Sequence, residues 1–243
     1  MPAERRYLVV GGGRVARNML AYLGATGAAH AQWARRDSRT PLANAAASAD
    51  HVLLAVSDAA IDALARDLRE AGVTASITHF SAVADTAHAG ALHPAAAFPQ
   101  GVFDLDTLKS IPFAQIEGGQ RFADIFPDWR NPVLTIAPEQ RALYHALLVI
   151  SGNLCSLIWN ETAKALEGEL KLAAGPMLEN YIRTNLALLR EAPTSSFSGP
   201  VTRGDAGTLR ANLAALDAHP ELKRCYDLML ELRWPGGAKA LKD

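Results

Sequence analysis

The chain opens on an apolar run, Tyr7 to Val10, with no polar residue alternating through it. That is the pattern of a strand covered on both faces, as in a parallel sheet. Behind it Val15, Met19, Tyr22 and Leu23 recur at helical spacing until Gly24 and Gly27 stop the helix. The same rhythm repeats: His30 to Arg35 reads as a second strand and Asp50 to Val56 as a third. Ser57 and Asp58 can cap a helix whose Ile61, Leu64, Ala65 and Leu68 follow i, i+3, i+4, i+7. Thr74 to Phe80 reads as a fourth strand, and Ile111 to Ile116 and Pro132 to Ile136 as two more. Strand and helix in alternation predict an α/β fold, a doubly wound parallel sheet.

After Ile136 the strand pattern stops. Pro138 suits the first position of a helix, and helices are predicted at about 138–157, 159–173, 176–191, 206–217 and 219–232 by the helical pattern between turn signals such as Gly175-Pro176 and His219-Pro220. The chain therefore divides near residue 137 into an α/β domain, 1–137, and an all-helical domain, 138–243. The 138–157 helix is apolar nearly all round, which predicts that it is buried.

Between the first strand and helix, Gly11, Gly13 and Ala16 match the spacing G-x-G-x-x-[G/A] of a dinucleotide-binding turn. Gly11 permits the tight turn, Gly13 lets a pyrophosphate approach the backbone, and Ala16 lets helix and strand pack closely. With Arg14 and Val15 they open the helix whose free amides would carry phosphate charge. A purely structural turn is the alternative. Where the second strand ends the chain reads WARRDS. Arg35 and Arg36 there favour the 2′-phosphate of NADP(H), because guanidinium pairs with phosphate through two charge-assisted hydrogen bonds. The alternative is a solvated arginine pair with Asp37 on the ribose of NAD. Val56 and Ser57, ending the third strand, are candidates to pass the cofactor ribose, or serve only as a helix cap.

Composition narrows the partners. Lys and Arg total 24 against 25 Asp and Glu in 243 residues, so no strong field invites nucleic acid or an anionic membrane. Polar Ser151, Gly152, Asn153 and Ser156 interrupt the apolar stretch 146–159, and no signal peptide or membrane span is expected. Cys155 and Cys225 lack metal-ligand spacing and read as buried free thiols of a cytoplasmic protein. No clustered His, Cys or carboxylate pattern points to a metal.

The segments GGGRVA (11–16), LLAVSDAAI (53–61), HFSA (79–82), HPAAAFP (93–99), LYHALLVISGN (143–153) and GPVTRGDAGTLRANLAAL (199–216) give the chain a resemblance. It resembles the Rossmann-like NADP oxidoreductases with a helical C-terminal dimerisation domain, relatives of pyrroline-5-carboxylate reductase and ketopantoate reductase. The resemblance implies a Rossmann-type domain holding NADP(H), a homodimer formed through the helical domain, and ketopantoate as a candidate substrate. It also shows departures: Ser81-Ala82 stands for the usual Ser-Gly, three alanines fill the place of polar residues before Phe98, and Gly152-Asn153 replaces Ser-Asn.

Hydride transfer to C=O or C=N requires a proton donor or polarising group beside the acceptor. His145 and Asn153 sit eight apart, about 80° on a helix at about 100° per residue, and are the candidate donor and orienting amide. A buried His and Asn bonded to backbone would look the same. His79, Ser81 and His93 stand near strand ends, where ligands bind in open sheets. Ser81 and His93 are taken as substrate contacts, although a satisfied strand histidine at 79 or a rigid His-Pro turn at 93 also accounts for them. Arg203, just ahead of the helix cap Asp205, would bind a substrate carboxylate or pair with Asp205. Together these residues describe an NADPH-dependent reductase of a small carboxylated oxo or imino substrate. The rival is an NADP(H)-binding regulatory or sensor protein without turnover.

Overall fold

Val9, Val10, Val52, Leu53 and Leu54 have almost no exposed surface, which an unbroken apolar run achieves only between two covering layers. The computed structural model describes residues 5–36, 40–195 and 197–234. In order these form β1 (Arg6–Val10), α1 (Arg14–Ala25), β2 (Ala29–Trp33), α2 (Leu42–Ala46), β3 (His51–Leu54), α3 (Asp58–Glu70), β4 (Ser76–His79), β5 (Gly90–Pro94), α4 (Leu105–Ser110), β6 (Phe113–Ile116), α5 (Phe122–Ile125) and β7 (Val133–Ile136). The helices α6 (Arg141–Leu148), α7 (Cys155–Gly168), α8 (Ala174–Glu191), α9 (Pro200–Arg203), α10 (Ala206–Ala215) and α11 (Pro220–Arg233) follow.

The seven strands make one sheet in the order β2-β1-β3-β4-β5-β6-β7. Alternation along each strand sends side chains into two separate cores. Tyr7, Val9 and Leu53 join Met19 and Tyr22 of α1 and the aromatic group Phe113, Phe122, Phe126 and Trp129. Leu8, Val10, Val52 and Leu54 face the other way, onto Ile61, Ala65 and Leu68 of α3 and Ala46 of α2. The expected doubly wound α/β architecture is present, with one correction to its parallel sheet. β5, absent from the sequence-based expectation, pairs parallel to β4 but antiparallel to β6, so β6 and β7 run against the other five strands. β5 carries Gly90, Ala91 and His93-Pro94 with only Leu92 apolar and large, a composition that gives no strand signal.

Contacts divide the chain into two compact units, Met1–Val149 and Ile150–Asp243. The first therefore includes α6, which lies beyond the sequence-based boundary at 137. Among the described residues of the second unit every regular element is helical, and its core forms around Val201, Leu209 and Leu230.

Two expectations for the helices change. No break occurs near 158: a 3₁₀ turn at Pro138–Gln140, α6, a π-helical turn at Val149–Leu154 and α7 run on without interruption. This 31-residue run, Pro138–Gly168, is by length and composition apolar enough to cross a membrane, longer than the 146–159 stretch weighed in the sequence because the helix does not stop. Nor is it buried within the chain. Leu143 is 62% exposed, Leu147 56% and Ile150 55%, so an all-round apolar helix here leaves its surface uncovered. Cys155 and Cys225 are free thiols, half-buried rather than buried.

Candidate functional site

The carboxyl ends of four strands stand level. Val10 of β1 pairs with Trp33 of β2 and Leu54 of β3, and Leu54 pairs with His79 of β4. The chain leaves β1 toward β2 on one side and reaches β3 on the other, and a crevice opens where the direction of winding reverses. Here it measures about 940 Å³ and is lined by Gly11 to Val15, Trp33 to Arg36, Val56 to Asp58, and Ser81.

The glycine turn forms its floor. Gly11 has φ +132°, and an added Cβ would meet the backbone of Ala55; only glycine permits that approach. Its amide donates to the Trp33 carbonyl at 2.9 Å, and Gln32 Nε2 donates to its carbonyl oxygen at 2.8 Å. Gly13 is different. Its backbone is extended and a Cβ there would meet nothing within 4 Å, so the space above it is open to a ligand. Gly13 is also the N-cap of α1, which has no side-chain cap and no acidic residue in its first turn. The leading amides of α1 thus keep the donors and positive dipole end that suit a diphosphate. Ala16 has no exposed surface and lies below the turn, outside the crevice lining, where a larger side chain would push α1 from the sheet.

At the β2 end Arg35 and Arg36 are exposed and line the crevice. Asp37, the alternative ribose contact, lies outside the described residues. On the opposite wall Ser57 occupies the N-cap of α3 without a side-chain capping bond, which leaves its hydroxyl to the crevice. Every expected cofactor residue is gathered here, Ala16 beneath the turn.

The expected substrate and catalytic residues are distributed differently. Ser81 lines the crevice, but its Oγ accepts from the amides of Val83, at 3.2 Å, and Ala84, at 2.9 Å. Its hydroxyl proton is left to donate. His79 is buried, and its Nδ1 accepts from the Ser81 amide at 3.2 Å. Burial, reinforced by the Arg141 guanidinium, pulls its pKa down to about 4, so it is a neutral structural acceptor at neutral pH. His93, the next-to-last residue of β5, has Nδ1 3.0 Å from Tyr144 Oη. Burial and then His145 hold its pKa at about 4. The His145 ring centroid lies 6.2 Å from that of His93.

Asn153 falls in the π-helical turn and is exposed. The shared face expected for His145 and Asn153 assumed an uninterrupted 3.6-residue period, which a π turn between them breaks. Arg203 is exposed and closes α9, where Gly204 adopts the left-handed conformation. Asp205 does not pair with it among the described residues; its carboxylate oxygens accept from the Thr208 amide at 3.1 Å and hydroxyl at 2.7 Å, capping α10.

Two residues escaped the sequence reading. The Arg141 side chain is 12% exposed; its Nε donates to the Ala82 carbonyl at 3.1 Å, Nη2 to the Ala84 carbonyl, and Nη1 meets Asp85 at 3.3 Å. It therefore clamps the turn that carries Ser81. Tyr144, bonded to His93, is the other. Neither has a local signal: an Arg opening an amphipathic helix and a Tyr inside it are ordinary until β4 and β5 are placed beneath them.

Residues 114–232 match a family model described as a domain of unknown function, DUF2520. No curated protein matches the sequence. Solved structures do match along the whole chain. A protein of Bacteroides fragilis assigned as an NADP oxidoreductase superposes with TM-score 0.71 at 20% identity, covering 98% of both chains. An imine reductase of Streptomyces aurantiacus gives 0.64 at 14%, covering 98% of this chain and 100% of its own. The pyrroline carboxylate reductase of Plasmodium falciparum, solved with NADP bound, gives 0.56 at 10%, covering 100% and 98%. The chain thus has the fold of these Rossmann-like oxidoreductases, in agreement with the resemblance carried by its motifs.

Proposed function

We propose that the protein is an NADPH-dependent reductase of a small carboxylated oxo or imino substrate, with ketopantoate the first acceptor to test. The observation that carries this reading is the crevice at the sheet's winding reversal, where the Gly11–Gly13 turn and the uncapped end of α1 face the same space as Arg35 and Arg36. Glycine turn and helix end match a diphosphate, and the two guanidinium groups match a further phosphate on the adenosine ribose. The structural neighbours assigned to NADP chemistry support the same choice.

The nicotinamide, when bound, supplies a hydride. This chain's part is to bind and orient the cofactor, and to hold a proton for the acceptor. His93, Tyr144 and His145, gathered over the end of β5, are the polar groups of the first unit suited to that, with Ser81 as a hydrogen-bond donor. Arg203 is assigned the role of carboxylate anchor, and substituting it by alanine is expected to raise KM for a carboxylated acceptor more than for an uncharged one; Asn153, off the His145 face, is not assigned the role of orienting amide. We assign a homodimer through the helical domain, supported by exposed apolar side chains of the second unit such as Ile150, Leu157, Tyr181 and Leu189.

The deciding experiment follows NADPH consumption with ketopantoate and with a cyclic imino acid, each beside NADH. Turnover with NADPH in preference to NADH is the expected result. Tight NADPH binding without reduction of any acceptor would favour the regulatory reading, and absence of binding would overturn the assignment of the crevice.

A further inference from the structure

The first two turns of α6 stand against the carboxyl ends of β4 and β5. Arg141 holds the Ala82 and Ala84 carbonyls, in the turn whose Ser81 lines the crevice. One turn on, Tyr144 reaches His93, with Oη 3.0 Å from Nδ1 and the rings edge to face at 5.7 Å. Both side chains are half-buried. Asp58, on the crevice wall, is close enough to His93 and His79 for its charge to act on both. The Tyr144–His93 pair thus stands one helical turn beyond the arginine that holds the Ser81 turn, next to the crevice lining but not part of it.

We propose that Tyr144 is the proton donor of the reduction and that His93 is the residue that positions it, an inference that rests on the reductase reading above. His145 then acts beside the pair and does not itself deliver the proton. Two properties of the pair suit this division. The Tyr144 phenol is protonated at neutral pH, and because burial raises its pKa and weakens it as an acid, the hydrogen bond from His93 is needed to stabilise the phenolate as the proton leaves. Burial also keeps His93 neutral, so its ring carries one N–H. With that hydrogen on Nδ1, His93 donates to Tyr144 Oη and leaves the phenolic proton free to face an acceptor.

Bound NADPH would supply the hydride that forms the new C–H bond at the acceptor carbon, itself becoming NADP⁺. The π pair of C=O moves onto oxygen, which takes the proton from Tyr144 Oη. The resulting phenolate accepts the Nδ1–H of His93 and regains its proton from water. A neutral imine nitrogen would take the proton in the same way.

The test uses the full-length protein and three variants. Tyr144→Phe is expected to bind NADPH with unchanged Kd and unchanged melting temperature while kcat falls about 100-fold or more, the scale of general acid catalysis. His93→Leu lowers kcat about tenfold with KM for NADPH unchanged, and His93→Asn, whose amide nitrogen takes the place of Nδ1, recovers most of that loss. A readout independent of turnover is the ¹⁵N spectrum of the histidine rings in the protein without cofactor. A protonated His93 Nδ1, shifted in Tyr144→Phe, is expected; a bare Nδ1 that accepts from the phenol would overturn the positioning. Retention of kcat by Tyr144→Phe in a protein whose wild type reduces an acceptor overturns the proton-donor role alone. Wild-type protein that binds NADPH but reduces nothing, or fails to bind it, overturns the reductase reading and the donor role together.

Discussion

A Cβ on Gly11 would overlap the carbonyl oxygen of Ala55 and stand 3.0 Å from its carbonyl carbon. At this contact β1 hands the chain to the ligand turn while β3 passes against it, so the turn depends on the absence of a side chain. Gly13, two residues on, has open space where its Cβ would be. Gly11→Val is therefore expected to destabilise the protein by about 3 kcal/mol, from overpacking and an unfavourable φ. Gly13→Val should melt near wild type yet lose NADPH affinity. Thermal melts beside fluorescence titrations separate the two, and equal melting losses would refute the assignment of Gly13 to ligand approach.

Arg35 and Arg36 are both exposed, so replacing them should leave folding intact and test the cofactor preference proposed for them. Replacing both by alanine removes charge-assisted hydrogen bonds worth about 1.5–3 kcal/mol each, so NADPH affinity should fall at least tenfold while NADH affinity changes little. Titration with both nucleotides measures this. An equal loss for the two would place the arginines away from the 2′-phosphate.

Arg141 joins three acceptors in the turn after β4. Arg141→Ala leaves two backbone carbonyls without their charged donor and should cost about 2 kcal/mol. Arg141→Lys should not restore it, because a single ammonium cannot reproduce the fork. Denaturant unfolding of the two variants gives the answer, and full rescue by lysine would reduce the clamp to a simple charge effect.

His79 and His93 both have folded-state pKa values drawn down to about 4 from 6.5, and that of His51 is lowered by burial as well. Between about pH 6.5 and pH 4 the unfolded chain binds protons that the folded chain refuses, so stability rises with pH across that window. Below it both states are protonated and this contribution has been lost. Melting temperature is expected to fall as pH drops from 7 to 4, less steeply in His79→Asn, whose Oδ1 takes the place of Nδ1 and can still accept from the Ser81 amide. A flat profile in this window would show that these rings are not held neutral by burial.

The gathering of the crevice residues was legible because turn chemistry is local. Gly11, Gly13 and Ala16 act within one turn; Val56 and Ser57 are brought to them by β3, whose apolar run announces two-sided burial, and Arg35 and Arg36 by the exposed edge strand β2. The Tyr144–His93 pair was not, because it depends on contacts across large sequence separations. His93 meets Tyr144, 51 residues away, on a strand with no propensity signal, and β5 exists as a strand through pairing with β4 and β6.

By itself the sequence determined the α/β alternation, the helical second half, and the cleft residues that suit NADP(H), since periodicity and turn chemistry act over a few residues. Only the tertiary structure decided that β6 and β7 run antiparallel to the rest, that the apolar helix after Pro138 continues through a π turn with its surface exposed, and that Arg141 and Tyr144 face the ends of β4 and β5. Strand direction, helix continuity and side-chain encounter are settled by which distant surfaces pack together, and no local pattern encodes that choice.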